Sequence, residues 1–131
     1  NLMRDLQAEL GLTCLFISHD LRLIRHLCTR VAVMYAGRLV ETRPADTLFK
    51  APRHPYTQLL IASVPDPDPA RARARIAAIP DAEVTSRLSG QQGCAFAPRC
   101  PRAMPRCRVE TPLLTPDADG QVACHALKAL V

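Results

Sequence analysis

Leu15-Phe16-Ile17-Ser18-His19-Asp20-Leu21 is a short apolar run that stops abruptly at three polar side chains and then turns amphipathic. The apolar part has the length and composition of a buried strand, and the residues after it resume with helical spacing. In open α/β sheets ligands sit in the crevice beyond the carboxyl ends of the strands, so this reading delivers His19 to the edge of a ligand site. Asp20 is then placed to cap the next helix with its carboxylate. A histidine after a strand is a weak functional sign by itself, because most such residues are only hydrogen-bonded surface or core groups.

Working outward, Leu2, Leu6 and Leu10 with intervening polar residues predict a helix that ends at Gly11. Thr13 to Ile17 is the strand, and Leu21, Ile24, Leu27 and Cys28 recur at helical spacing over about Leu21 to Cys28. Cys14 and Cys28 both read as small buried hydrophobes. Val31 to Tyr35 and Arg38 to Glu41 are β-rich runs separated by Ala36-Gly37, a two-residue hairpin turn with glycine at positive φ, and Pro44 closes the hairpin. Ala45 to Lys50 predicts one short helix. The Pro52 to Pro55 stretch breaks it before a second helix, Tyr56 to Ser63, with Leu59, Leu60 and Val64 facing a core.

The composition changes after Val64. Most of the twelve prolines follow that point, beginning with the stiff polar linker Pro65-Asp66-Pro67-Asp68-Pro69. Arg71, Arg73 and Arg75 alternate with alanine and read as an exposed basic face. Helix and strand signals are both poor beyond this, so order in the tail must come from something other than a large hydrophobic core. Cys94, Cys100, Cys107 and Cys124 supply one candidate, in the spacing C-x5-C-x6-C-x16-C. Four thiols in a proline-rich segment are the inventory of a cross-linking inorganic centre. Zinc sites usually show cysteine pairs two to four residues apart, and ferredoxin runs are also tighter, so the spacing identifies four thiolates and not which metal. Disulfides are the alternative, opposed by reducing conditions if the protein works in a cytosol.

At 131 residues, with 48% hydrophobic and 22% charged residues, the chain can build one modest core. It carries no apolar run near the roughly 20 residues of a membrane helix and no recognisable leader. The formal charge of +5 is nearly all arginine. Two tyrosines, three phenylalanines and no nucleic-acid-binding motif argue against DNA or RNA as a partner.

Leu10 to Leu21 (Leu-Gly-Leu-Thr-Cys-Leu-Phe-Ile-Ser-His-Asp-Leu), followed by Arg30-Val-Ala-Val-Met-Tyr-Ala-Gly-Arg-Leu-Val-Glu41, resembles the final part of an ABC-transporter ATPase. Pro52-Arg-His-Pro-Tyr-Thr57 and Gly93-Cys-Ala-Phe-Ala-Pro-Arg-Cys-Pro101 narrow the likeness to the oligopeptide/dipeptide importer subfamily. The resemblance runs over nearly the whole chain and is loosest at residues 64–92. It implies an α/β fold: residues 1–50 as the C-terminal part of a P-loop nucleotide-binding domain, and residues 51–131 as an irregular cysteine-rich extension. The first residue, Asn1, lies inside an apparent helix, and no Gly-x-x-x-x-Gly-Lys-Ser/Thr loop or magnesium-holding acidic strand end occurs. The chain is therefore expected to be a C-terminal piece that neither binds nor hydrolyses ATP alone. Leu88-Ser-Gly-Gln-Gln92 imitates the family's ATP-gripping signature, but it follows the histidine motif instead of preceding it and is read as a turn.

What the resemblance implies for function is an ATP- and Mg2+-dependent subunit at the cytoplasmic face of the membrane. It would pair with a second ABC ATPase subunit and two transmembrane permease subunits, with cargo supplied by an extracytoplasmic peptide-binding protein. His19 would bond the γ-phosphate and position the attacking water, while Ser18 and Asp20 shape the turn. Cys94, Cys100, Cys107 and Cys124 match the positions that hold a [4Fe-4S] cluster in such ATPases, with Arg99, Arg102, Arg106 and Arg108 available to offset its charge and His125 as a bystander. His54, Pro55 and Tyr56 match the family's His-Pro-Tyr motif, for which the sequence offers no role beyond starting a helix. The rival reading is a non-enzymatic iron–sulfur or zinc module that binds a partner; such a module would not need the histidine-bearing strand and hairpin.

Overall fold

The computed structural model describes residues 2–64 and 92–130. Helix α1 (Leu2–Leu10) stops at Gly11, whose φ of +61° suits a residue without Cβ, and the Leu12 N–H returns to the Gln7 carbonyl across that turn. Helix α2 (Leu21–Leu27) leads into strands β1 (Arg30–Tyr35) and β2 (Arg38–Pro44), then α3 (Ala45–Lys50) and α4 (Pro55–Ala62). After a 3-10 turn at Ala97–Arg99 come α5 (Pro105–Val109), β3 (Thr115–Asp117), β4 (Gly120–Val122) and a final 3-10 segment, His125–Leu130. The expected linker at Pro65 to Pro69, the arginines at 71, 73 and 75 and all but the last residue of the expected turn at Leu88 to Gln92 lie outside the described residues.

The β1–β2 hairpin forms where the turn chemistry places it. Ala36 and Gly37 both take positive φ, 49° and 75°, the conformation of a two-residue turn that matches strand twist. Val31 and Val33 of β1 and Val40 of β2 face Ala45 and Leu48 of α3, and Ile24, Cys28, Phe49, Tyr56, Leu60 and Ile61 pack around them. Cys28, expected to be buried, is half-buried against this core, and α3 spans the expected residues. Pro55 begins α4 one residue earlier than expected, at the position where proline's missing N–H costs nothing.

Two expectations fail. Thr13 to Ile17 is not a strand: no regular structure forms there, Leu15 is 92% and Ile17 89% exposed, and Cys14 is exposed. A strand of a parallel sheet needs ladder partners alongside and helices on both faces. Among the described residues the only sheet is antiparallel, in the order β1-β2-β4-β3, and none of its strands borders this segment. The tail, in turn, is less irregular than expected. β4 pairs with β2 (Glu41 opposite Val122, Thr42 opposite Gln121), so the extension completes the sheet of the hairpin. Gly120 allows the approach, since a Cβ there would lie 2.2 Å from the Thr42 carbonyl oxygen.

Two further contacts fix the tail to the rest. Phe96, 1% exposed, sits in an aromatic group with Tyr35 at 5.3 Å and Tyr56 at 5.5 Å between ring centres. Burying one such ring stabilises by about 1.5–3 kcal/mol. Arg43 of β2, 4% exposed, reaches the Asp117 and Asp119 carboxylates of the β3–β4 hairpin, and Arg53 Nε lies 3.0 Å from Asp117. Arg43 Nε also lies 3.1 Å from the Glu41 carboxylate.

Candidate functional site

Ser18, His19 and Asp20 form a local turn. The Asp20 amide donates to Ser18 Oγ at 3.0 Å, and Asp20 Oδ1 accepts from the Arg22 and Leu23 amides at 2.9 and 3.3 Å. The carboxylate therefore caps α2 as expected, satisfying two of the amides that a helix start leaves without partners. His19 is exposed beside this cap. The cysteines lie elsewhere, so the two candidate sites are separate constellations.

The tail folds so that Cys94, Cys100, Cys107 and Cys124 line one cavity of about 10 Å³, space for roughly one water. Local backbone bonds bring them there. The Cys94 amide donates to the Cys107 carbonyl at 2.8 Å, the Ala97 amide to the Cys94 carbonyl at 3.0 Å, and the Ala103 amide to the Cys100 carbonyl at 3.1 Å. Gly93 makes the first of these possible. Its φ is +96°, and a Cβ would fall 2.5 Å from the Arg108 carbonyl oxygen and 2.8 Å from that of Cys107. Pro105 opens α5, whose one buried residue is Cys107.

All six cysteines are free thiols. Burial pushes the Cys94, Cys100 and Cys124 thiols up, and neighbouring cysteines push each further in the same direction. Acting against this are backbone N–H groups: those of Phe96 and Ala97 on Cys94, of Arg102 on Cys100, and of Ala126 and Leu127 on Cys124. Such donors two or three residues downstream favour the thiolate, the form that ligates metals. The four thiols thus share one cavity, with backbone N–H donors beside three of them. Among the described residues no group of three or more His, Cys, Asp or Glu side chains is disposed to hold one metal ion.

Of the four arginines beside the ligands, Arg102 lines the cavity and lowers the Cys124 thiol, whereas Arg106 pairs with Glu110 at 2.6 Å. Sequence reasoning missed two residues of this cavity, His54 and Pro55, which come from the α4 start. His54 is 1% exposed and desolvation pulls its pKa down to about 4. Its Nδ1 accepts the Tyr56 amide at 3.0 Å, capping α4. The wholly buried Glu41 carboxylate accepts the Arg53 amide at 2.9 Å and the His54 amide at 2.8 Å, so β2 holds the His-Pro-Tyr segment in place. The available signal was the motif itself, whose distance from the cysteines in sequence hid the contact. His125 lines the same cavity, with Nε2 3.0 Å from the Glu110 carbonyl oxygen.

Comparison with known proteins covers the motif segments. Residues 40–107 match the family model described as "Oligopeptide/dipeptide transporter, C-terminal region". A Sinorhizobium fredii protein named as a peptide ABC transporter ATP-binding protein, y4tS, is 55% identical over 95% of this chain and 35% of its own length. A Brucella abortus protein named as a peptide import ATP-binding protein is 49% identical over 95% of this chain and 36% of its own. The Bacillus subtilis protein YkfD, named for oligopeptide transport ATP binding, is 43% identical over 95% of this chain and 38% of its own. The chain spans about a third of the length of the curated relatives it matches. With more than half of its residues inside that family match, the chain belongs to the oligopeptide/dipeptide transporter C-terminal region family.

Proposed function

We propose that this chain is the C-terminal part of an ATP-binding subunit that couples ATP hydrolysis to import of oligopeptides or dipeptides. The observation carrying this reading is the likeness of 43–55% identity over 95% of the chain to proteins named as peptide ABC transporter ATP-binding subunits. On this reading residues 1–50 belong to the nucleotide-binding domain and residues 51–131 form the extension, joined to it through the β2–β4 pairing. The subunit works with ATP and Mg2+, a second ATPase subunit and two transmembrane permease subunits at the cytoplasmic face of the membrane, and peptides arrive through an extracytoplasmic binding protein. Among the described residues no helix is long and apolar enough to cross a membrane, which suits attachment through partners.

His19 supplies the γ-phosphate contact and orients the attacking water, with Ser18 and Asp20 fixing its turn. The Thr13 to Ile17 segment becomes the strand behind it once neighbouring strands are supplied. Cys94, Cys100, Cys107 and Cys124 hold one [4Fe-4S] cluster, which when bound contributes four sulfur attachment points to the tail. The cavity that all four share is the support for this centre. The deciding experiment is transport: full-length subunit reconstituted with its permease partners in vesicles should take up peptide only with ATP. His19→Ala should lower ATP turnover by about 10²-fold at nearly unchanged ATP affinity. Uptake of no peptide, or full turnover in the variant, would defeat the respective part of the reading.

A further inference from the structure

One pair of the cavity's cysteines is set apart by its backbone. The Cys94 amide donates to the Cys107 carbonyl at 2.8 Å. Standard bond lengths then hold the two Cα atoms closer than about 6.7 Å. That lies within the roughly 4.4–6.8 Å over which a disulfide closes without movement of the chain. Both side chains line the same cavity, so their Cβ atoms turn toward a common space and not apart. Among the neighbouring thiols, Cys107 acts most strongly on that of Cys94. Among the described residues no backbone hydrogen bond joins Cys100 or Cys124 to another cysteine, so nothing comparable holds a different pair.

Access to the pair is graded. Cys107 is 7% exposed and Cys94 half-buried, beside a cavity of about 10 Å³ that admits roughly one water. An oxidant that reaches Cys94 must therefore be small, and hydrogen peroxide is little larger than water. A second thiol waiting beside the first is the arrangement that turns an oxidised cysteine into a disulfide before it is oxidised further.

We propose that Cys94 and Cys107 are a redox-sensitive clasp, closed to a disulfide by a peroxide and reopened by a small-molecule thiol. The Cys94 sulfur attacks one peroxide oxygen; the S–O bond forms, the O–O bond breaks and water leaves. The Cys107 sulfur then attacks the Cys94 sulfur, the S–S bond forms, the S–O bond breaks and a second water leaves. The two sulfurs together give up two electrons to the peroxide. Two thiol molecules reverse the closure and leave as their own disulfide. The closed ring spans residues 94–107 and so contains Phe96, the buried side chain that meets Tyr35 and Tyr56. Oxidation would thereby lock the segment that anchors the tail. The clasp rests on neither the ATPase chemistry nor a metal, and its reactants are free thiols of the folded chain.

The test uses the full-length protein, treated with about one equivalent of hydrogen peroxide, alkylated with N-ethylmaleimide and digested without reductant for mass spectrometry. The expected result is a peptide joining Cys94 to Cys107 as the main cross-link among the four, with a loss of about two free thiols per chain. Proteolysis of residues 92–130 should slow by about tenfold, and dithiothreitol should reverse both effects. Gly93→Ala, whose Cβ would fall 2.8 Å from the Cys107 carbonyl oxygen, should lower the yield of the joined peptide severalfold. Cys94 joined chiefly to Cys100 or Cys124, or oxidised to sulfinic acid with Cys107 still alkylated, would overturn the pairing. Joined peptide with an unchanged rate of tail cleavage would overturn the clasp. Iron assayed in the same sample reports on the cluster separately, so the two readings stand or fall apart.

Discussion

Glu41 is the side chain on which the hairpin, the His-Pro-Tyr segment and the tail converge, so Glu41→Ala is the sharpest test of the architecture. Its carboxylate is wholly buried, accepts two backbone amides at 2.9 and 2.8 Å and faces Arg43 Nε at 3.1 Å. Removing it leaves the buried His54 amide and the part-buried Arg53 amide without their acceptor and takes one charge partner from a buried guanidinium. Breaking a buried charged pair in this way costs about 3–5 kcal/mol. Arg43 keeps its Asp117 and Asp119 partners, which places the expectation near the lower end of that range. With a urea slope of about 1–3 kcal/mol per molar, 3 kcal/mol lowers the unfolding midpoint by roughly 1–3 M. The assay is urea denaturation followed by circular dichroism, alongside limited proteolysis of residues 92–130, which should be cut sooner in the variant. A loss below about 1 kcal/mol, the scale of an exposed pair, would refute the view that Glu41 is the anchor.

Other consequences are independent of that one. The His54 imidazole titrates near 4 when folded and near its ordinary 6.5 when unfolded, so the unfolded chain binds the proton first as pH falls. Metal-free protein should therefore be most stable above about pH 6.5, lose about 3 kcal/mol between 6.5 and 4 from this group, and level off below; urea midpoints across that window should lose most of the slope in His54→Asn. Gly93→Ala must place a Cβ against two carbonyl oxygens from a left-handed backbone, so the Cys94 to Cys107 contact should open. Faster proteolysis of the tail with α1 to α4 intact is the expected reading; a wild-type pattern would contradict it. Anaerobically purified protein should be brown, lose its colour in Cys100→Ser, and keep it in Cys14→Ser and Cys28→Ser. Colourless protein with one zinc would reassign the centre. Asp20→Ala should weaken α2 by about 1 kcal/mol through loss of its cap, read as a small drop in helical signal.

Local rules were enough wherever the decisive interactions are local. The Gly11 helix stop, the Asp20 cap, the Ala36-Gly37 turn, the α3 span and the proline start of α4 depend on residues within a few positions of one another, and all are legible in sequence. The four cysteines were recognisable as a set from composition, although whether they share a space is a matter of chain path. Tertiary structure alone decided the rest. Thr13 to Ile17 has strand composition, yet a strand exists only with partners beside it, and composition does not say whether they are present. The tail's order comes from β4 on β2, Phe96 between Tyr35 and Tyr56, and Arg43 reaching Asp117 and Asp119, pairings separated by tens of residues that no periodicity announces. His54 joins the cysteine cavity for the same reason: its neighbours in sequence make it a helix cap, and only the folding of residues 92–130 back over α4 and β2 makes it line a cavity with the thiols.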